Sequence, residues 1–163
     1  MSEHTFDENQ LFSRLNRLPL RAQVAFVISC AERLLPNFKA FQREHGWGDV
    51  QVLRKATDLG SKWLNGEVIS LNELATAAVD CEYQAPDTEE FQSLIVSSAL
   101  DAAVCVSALI ALIQTKNTEK AVEAASLCVD TVDMYVQELE NMPANAPDLE
   151  SRIRLHVMMQ QEL

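Results

Sequence analysis

Basic residues are missing from long segments of the sequence. The chain has 24 acidic and 13 basic residues, which gives a formal net charge of -11. No lysine or arginine lies between Lys62 and Lys116 or between Lys120 and Arg152, although these segments hold eight and seven acidic residues. Such a surface repels phosphate backbones and anionic lipid headgroups. The charge argues against nucleic-acid and membrane-surface binding, and it makes a basic protein the complementary partner.

Motifs for catalysis, cofactor binding and metal binding are also missing. None of the three histidines belongs to an E-x-x-H or H-E-x-x-H pattern, and the sequence has no Gly-rich phosphate loop and no G-x-S-x-G. The cysteines occur singly, without a C-x-x-C pair, at Cys30, Cys81, Cys105 and Cys128. Single cysteines in apolar helical segments are typical of small buried side chains. We therefore predict no catalytic residue, no cofactor and no metal site.

The N-terminal residues lack the basic and apolar segments of a signal peptide, which favours a cytoplasmic location. Glycine and proline are scarce, with four and five residues, while 48% of the chain is hydrophobic. This composition favours helices over a sheet rich in turns. At 163 residues the chain fits one domain. We predict a single all-α bundle of about seven helices over 1–163, with residues 1–6 disordered and a proline-containing connection at 142–147 before a last helix.

The most apolar part of the sequence predicts a buried central helix over residues 88–115, begun by Asp87 or Thr88 after a linker at 81–87. Between 91 and 115 its only charged residue is Asp101. A membrane span is the alternative, because about twenty apolar residues cross a bilayer. A carboxylate near the middle, several serines and the lack of basic flanking residues weigh against a span.

The predicted helix at 118–141 carries a polar stripe. Steps of four and three residues place seven side chains within an arc of roughly 100°: Glu119, Glu123, Ser126, Asp130, Asp133, Gln137 and Glu140. A solvated outer face explains this pattern. However, like charges at this spacing repel one another, and no base follows Lys120 on the helix. The second interpretation is a docking face for a basic protein, with five partner-binding residues: Glu119, Glu123, Asp130, Asp133 and Glu140.

A second motif joins two predicted helices. Pro36 predicts that one helix ends at Leu35 and that another runs to His45. In the loop that follows, Gly46 can take the left-handed conformation that ends a helix, and Asp49 can cap the next helix. The motif consists of Glu32, Arg33, Pro36, Asn37, Gly46, Trp47, Gly48 and Asp49. A structural role explains most of these residues, and a recognition surface built on Arg33, Asn37 and Trp47 is the alternative.

These residues follow the pattern E-R-x-x-P-N-[FY]-x-x-F…G-[FW]-G-D, and Ala99–Ala102 follow A-[IL]-D-A. In both patterns the chain resembles the YjaG-like family of bacterial helical proteins, and the resemblance covers most of its length. Membership would imply an all-α fold and an unknown function. It would transfer no active site to this chain.

Two classes of function remain open from the sequence. The first is a non-enzymatic, cytoplasmic interaction or regulatory protein that docks a basic partner through the acidic helix, either as a signalling adaptor or as a toxin-neutralising immunity protein. The second is an enzyme or small-molecule binder with a cleft near Asp101 and Arg33. A deep polar pocket with perturbed carboxylates would favour the second class. The sequence leaves homo-oligomerisation open.

Overall fold

A computed structural model of the protein describes residues 6–91 and 93–141, without the side chains of Leu94 and 138–141. The described residues form six helices and no strand: α1 (Glu8–Asn16), α2 (Leu20–His45), α3 (Val50–Leu64), α4 (Leu71–Tyr83), α5 (Leu94–Thr115) and α6 (Glu119–Asn141). The predicted all-α class is confirmed, and the predicted count of about seven is close. The connection at 142–147, the last helix and most of the segment 1–6 lie outside the described residues.

Helix α5 lies at the centre of the bundle, as predicted. It packs against α2 most extensively and also contacts α3, α4 and α6. Ala99, Ala102 and Ala103 are buried along it, and such small side chains let the neighbouring helices approach closely. Residues Ile95–Thr115 are long and apolar enough to cross a membrane, but 67% of this stretch is buried inside the bundle. Burial by the other helices accounts for its apolar sequence.

Two predicted boundaries around α4 and α5 are wrong. Helix α5 begins after Ser93, because Asp87 closes a separate turn by accepting a hydrogen bond from the Glu89 amide at 2.8 Å. Helix α4 runs to Tyr83, so Cys81 is a fully buried helical residue and not part of a linker. Nothing in the sequence interrupts α4 before Pro86, the first residue that cannot continue a helix.

Pro36 does not divide α2, contrary to the prediction. The helix continues through it to His45, although proline cannot donate a hydrogen bond to the carbonyl of Glu32 four residues earlier. Leu34, Leu35 and Phe38 are each at most 1% exposed around this point. Burial of these side chains on both sides of Pro36 outweighs the loss of one backbone hydrogen bond.

Side chains cap the first turns of α1 and α4. Asp7 accepts hydrogen bonds from the amides of Asn9 and Gln10, and Ser70 accepts one from Glu73. Lys116 ends α5 with a φ of 58°, and α6 begins three residues later. The short connection brings α6 back along α5. Helix α6 is thereby held against the core of the bundle by its apolar side, and the acidic stripe lies on the other side of the helix.

Candidate functional site

The N-terminal half of the acidic stripe lines a groove between α1 and α6. This groove has a volume of about 510 Å³ and is lined by Glu8 and Phe12 from α1 and by Glu119, Glu123 and Ser126 from α6, among other residues. Two hydrogen bonds hold α1 in place: Ser126 Oγ donates to Glu8 Oε1 at 2.9 Å, and Thr118 Oγ1 donates to an Asn16 side-chain oxygen at 3.3 Å. The groove therefore collects three carboxylates from two helices.

One base accompanies these carboxylates. Lys120 Nζ lies 3.3 Å from Glu123 Oε2, in a pair whose side chains are 38% and 42% exposed. An exposed pair of this kind stabilises the fold by less than about 1 kcal/mol and is screened by salt. Glu119 and Glu8 form no ion pair with the other described residues. The groove keeps a negative potential as a result.

The C-terminal half of the stripe lies on the open surface of α6. Asp130, Asp133 and Gln137 are exposed, as the stripe predicted, and the side chain of Glu140 lies outside the described part of the chain. Next to them Val132 and Val136 are 50% and 45% exposed. This half of α6 thus presents carboxylates beside apolar side chains. Sequence reasoning missed these two valines, although their helical spacing is visible in the sequence.

The loop between α2 and α3 is a packed structural joint. Gly46 ends α2 at a φ of 61°, and Asp49 caps α3 by accepting from the Gln51 amide at 2.9 Å, both as predicted. Trp47 packs edge-on against Phe41, with ring centroids 6.0 Å apart. Glu32 accepts two hydrogen bonds from Arg54 on α3, at 2.6 and 2.7 Å. The motif therefore connects α2 to α3 through contacts that a structural role explains.

Two motif residues take no part in these contacts. The side chain of Asn37 is fully buried and makes no hydrogen bond with the other described residues. Arg33 is exposed and forms no hydrogen bond or ion pair within the described ranges. The charge of Arg33 instead acts on the thiols of Cys30 and Cys128. Arg33, Asn37 and Trp47 do not form one recognition surface, because Asn37 lies in the core.

Three of the four cysteines come together between α2, α5 and α6. Cys128 Sγ donates to the carbonyl oxygen of Cys30 at 3.6 Å, which places the side chain of Cys128 against residue 30. The hydrogen bond with Cys128 and burial raise the pKa of Cys30, and burial raises that of Cys105. The Cys30 thiol and, more weakly, Arg33 lower the pKa of Cys128. Sequence reasoning missed this cluster because its members are widely separated along the chain.

The fourth cysteine, Cys81, is buried on α4 away from this cluster, and burial raises the pKa of its thiol to about 12. Among the described residues, no group of three or more His, Cys, Asp or Glu side chains has the arrangement of a metal site. The thiol cluster is therefore not part of such an arrangement.

Asp101 lies beside the thiol cluster as a hydrogen-bonded polar group. Thr131 Oγ1 donates to its Oδ2 at 2.8 Å, and one turn earlier on α5 Ser98 Oγ lies 3.1 Å from the hydroxyl of Tyr135. Burial raises the pKa of Asp101, the Thr131 hydrogen bond lowers it, and nearby Asp130 raises it further. Burial also raises the pKa of Tyr135 to about 12. The arrangement joins α5 to α6 through two hydrogen bonds between side chains.

The pKa of Asp101 predicts a specific pH dependence. Because the pKa of Asp101 is raised above its ordinary value of 3.8, the folded protein holds the proton of this carboxyl more tightly than the unfolded chain does. The free energy of unfolding therefore falls as the pH rises through the raised pKa. Asp101→Asn removes this titration and keeps an oxygen that accepts from Thr131. We expect the variant to lose less stability than the wild type as the pH rises above 3.8. Urea unfolding at several pH values measures this, and parallel curves would contradict it.

Comparison with known proteins places this fold in a family. The family model described as "Protein of unknown function (DUF416)" matches residues 10–163. The chain is 30% identical over 128 residues to the uncharacterized protein YjaG of Escherichia coli strain K12, and 26% identical over 156 residues to that of Salmonella typhimurium. These matches cover 78% and 95% of the chain. They span 65% and 77% of the lengths of the two relatives.

A solved structure of a protein from the same family has a similar fold. The crystal structure of a DUF416 family protein from Shewanella baltica matches with a TM-score of 0.73 and 27% sequence identity, over 93% of this chain and 77% of that one. Agreement at this level extends beyond one helix pair to the arrangement of the whole bundle. The resemblance to YjaG-like proteins is thereby confirmed, and the chain belongs to the DUF416 family of proteins of unknown function.

Proposed function

We propose that this protein is a non-enzymatic interaction protein of the cytoplasm that docks a basic protein partner on α6 and the adjoining α1. The observation that carries the proposal is the row of carboxylates formed by the groove residues Glu8, Glu119 and Glu123 and by Asp130 and Asp133 further along α6. A basic partner would neutralise like charges that repel one another in the free protein. A signalling adaptor and a toxin-neutralising immunity protein both fit this description.

The apolar side chains beside the carboxylates support a protein as the partner. Phe12 and Val122 line the groove, and Val132 and Val136 are half-exposed further along. Protein interfaces combine an apolar centre with a charged rim, whereas a small cation needs only the charges. An amphipathic helix with lysine or arginine on its flanks would match both features. Asp101 and Arg33, the residues of the alternative cleft, contribute to neither the groove nor the open face.

The proposal predicts a large loss of affinity when the charge of this surface is reversed. The variant carries Glu123→Lys, Asp130→Lys and Asp133→Lys. Three exposed ion pairs at about 0.5–1 kcal/mol each correspond to a loss of about tenfold to a hundredfold in affinity. The measurement is affinity capture from a lysate of the host at low salt, followed by titration of each captured protein against wild type and variant. We expect captured proteins to be basic and to dissociate as salt rises.

A matched control separates this face from the overall charge. Glu67→Lys, Asp80→Lys and Glu82→Lys produce the same charge change at three exposed positions on and before α4. This control should bind as the wild type does, and both variants should keep the thermal unfolding transition of the wild type. Equal losses in both variants would indicate nonspecific charge attraction. A loss in the control alone would place docking on α4, where Leu71 and Tyr83 are 79% and 75% exposed, and would overturn the proposal.

A further inference from the structure

We propose that Cys30 and Cys128 form a site of oxidative modification, at which hydrogen peroxide converts their two thiols into a disulfide between α2 and α6. This inference is independent of the docking surface, because it concerns the buried side of α6. It rests on the contact between the two cysteines, on the accessibility of one of them and on the charged groups around it.

The contact joins the Cys128 side chain to residue 30. Cys128 Sγ lies 3.6 Å from the carbonyl oxygen of Cys30, and the two thiols influence each other's titration. A disulfide needs the two residues close together with their side chains directed at each other. The hydrogen bond to the Cys30 carbonyl holds the Cys128 sulfur beside the residue with which it would form the bond. The cysteines are 98 positions apart in the sequence, so the fold alone creates this pair.

Accessibility selects Cys128 as the residue that reacts first. It is half-buried, whereas Cys30, Cys81 and Cys105 are buried. Two groups favour its thiolate: first the neighbouring Cys30 thiol, and then the Arg33 guanidinium. Burial and the Asp101 carboxylate oppose the thiolate, and the thiol of Cys105 also lies within electrostatic range. The balance lowers the pKa of Cys128, while that of Cys30 is raised, so Cys30 stays protonated as the second thiol.

The chemistry balances with one molecule of hydrogen peroxide. The Cys128 thiolate attacks one peroxide oxygen, so a sulfur–oxygen bond forms, the oxygen–oxygen bond breaks, and hydroxide leaves and takes up a proton as water. Cys30 sulfur then attacks the sulfenic acid of Cys128. The sulfur–sulfur bond forms, the sulfur–oxygen bond breaks, and the departing hydroxide takes the Cys30 proton as a second water. The two thiols supply the two electrons that reduce the peroxide.

The experiment treats the reduced full-length protein with hydrogen peroxide, blocks remaining thiols by alkylation and maps the disulfides by mass spectrometry without reduction. We expect free thiols to fall from the four cysteines of the sequence to two, with a link between Cys30 and Cys128. Cys81 and Cys105 should stay reduced. The inference is overturned if all four thiols survive conditions that oxidise an unfolded peptide containing Cys128. It is also overturned if Cys128 pairs with Cys105 or with another chain, or is over-oxidised without forming a disulfide.

The disulfide map of the wild-type protein is sufficient to support or overturn the inference. Variants then test the role of each residue. In Cys30→Ser the reaction should stop at the sulfenic acid of Cys128, which a 1,3-diketone reagent traps. Cys81→Ser is the matched control and should form the Cys30–Cys128 link at the wild-type rate. Arg33→Gln should slow the reaction at neutral pH and move its pH midpoint upward, because the positive charge of Arg33 stabilises the Cys128 thiolate. An unchanged pH profile would overturn that role of Arg33.

Discussion

Gly48→Ala is expected to lower the free energy of unfolding by about 2–4 kcal/mol. Gly48 has a φ of +83°, a backbone conformation that costs a residue with a side chain about 1–2 kcal/mol. A Cβ atom would also lie 2.9 Å from Phe38 Cζ and 3.4 Å from Gln84 Oε1. Phe38 is fully buried and cannot turn away, and forced overpacking costs about 1–3 kcal/mol. Both effects act at the same residue.

Gly46→Ala is the matched control for this prediction. Gly46 also has a positive φ, of +61°, but a Cβ atom there meets no heavy atom within 4 Å. Its cost should be confined to the backbone, at about 1 kcal/mol. Urea unfolding followed by circular dichroism gives both values. Equal losses in the two variants would mean that the contact with Phe38 does not constrain the joint between α2 and α3.

Local features of the fold were predictable because short-range chemistry fixes them. Asp49 was identified as a helix cap, since a side-chain oxygen near the free amides of a first turn is a local arrangement. Gly46 was predicted to end α2 for a similar reason. Pro36 misled the prediction because its effect depends on burial. A proline costs a helix one hydrogen bond, and the buried side chains around it outweigh that cost.

The candidate sites were less predictable because distant parts of the chain form them. The periodicity of α6 predicted which side chains share the stripe. It could not predict that α1 would pack beside the stripe and add Glu8 to it, since that contact joins residues 118 positions apart. The cysteines gave even less information, because each one alone resembles a small buried side chain. Their contact follows from the order in which α2, α5 and α6 pack, which only the tertiary structure specifies.

Phe41→Ala is expected to have the largest effect on stability, a loss of about 3–5 kcal/mol in the free energy of unfolding. Phe41 is fully buried where the end of α2 meets the loop and the segment before α5. Its ring lies 4.9 Å from that of His45 and 5.3 Å from that of Phe91, between centroids. No single neighbour can fill the space left by the ring, because the contacts come from three separate segments. Urea unfolding measures the loss.

A second phenylalanine of α2 and a local probe separate this packing effect from a general loss of helix. Phe26→Ala makes the same substitution at a half-buried position of α2 and should cost only about 1–2 kcal/mol. In a Trp63→Phe background, Trp47 is the remaining tryptophan and packs against Phe41. Loss of that ring should shift the Trp47 emission to longer wavelength before global unfolding begins. Equal costs for both variants, or an unchanged emission, would mean that Phe41 does not anchor the joint to the core.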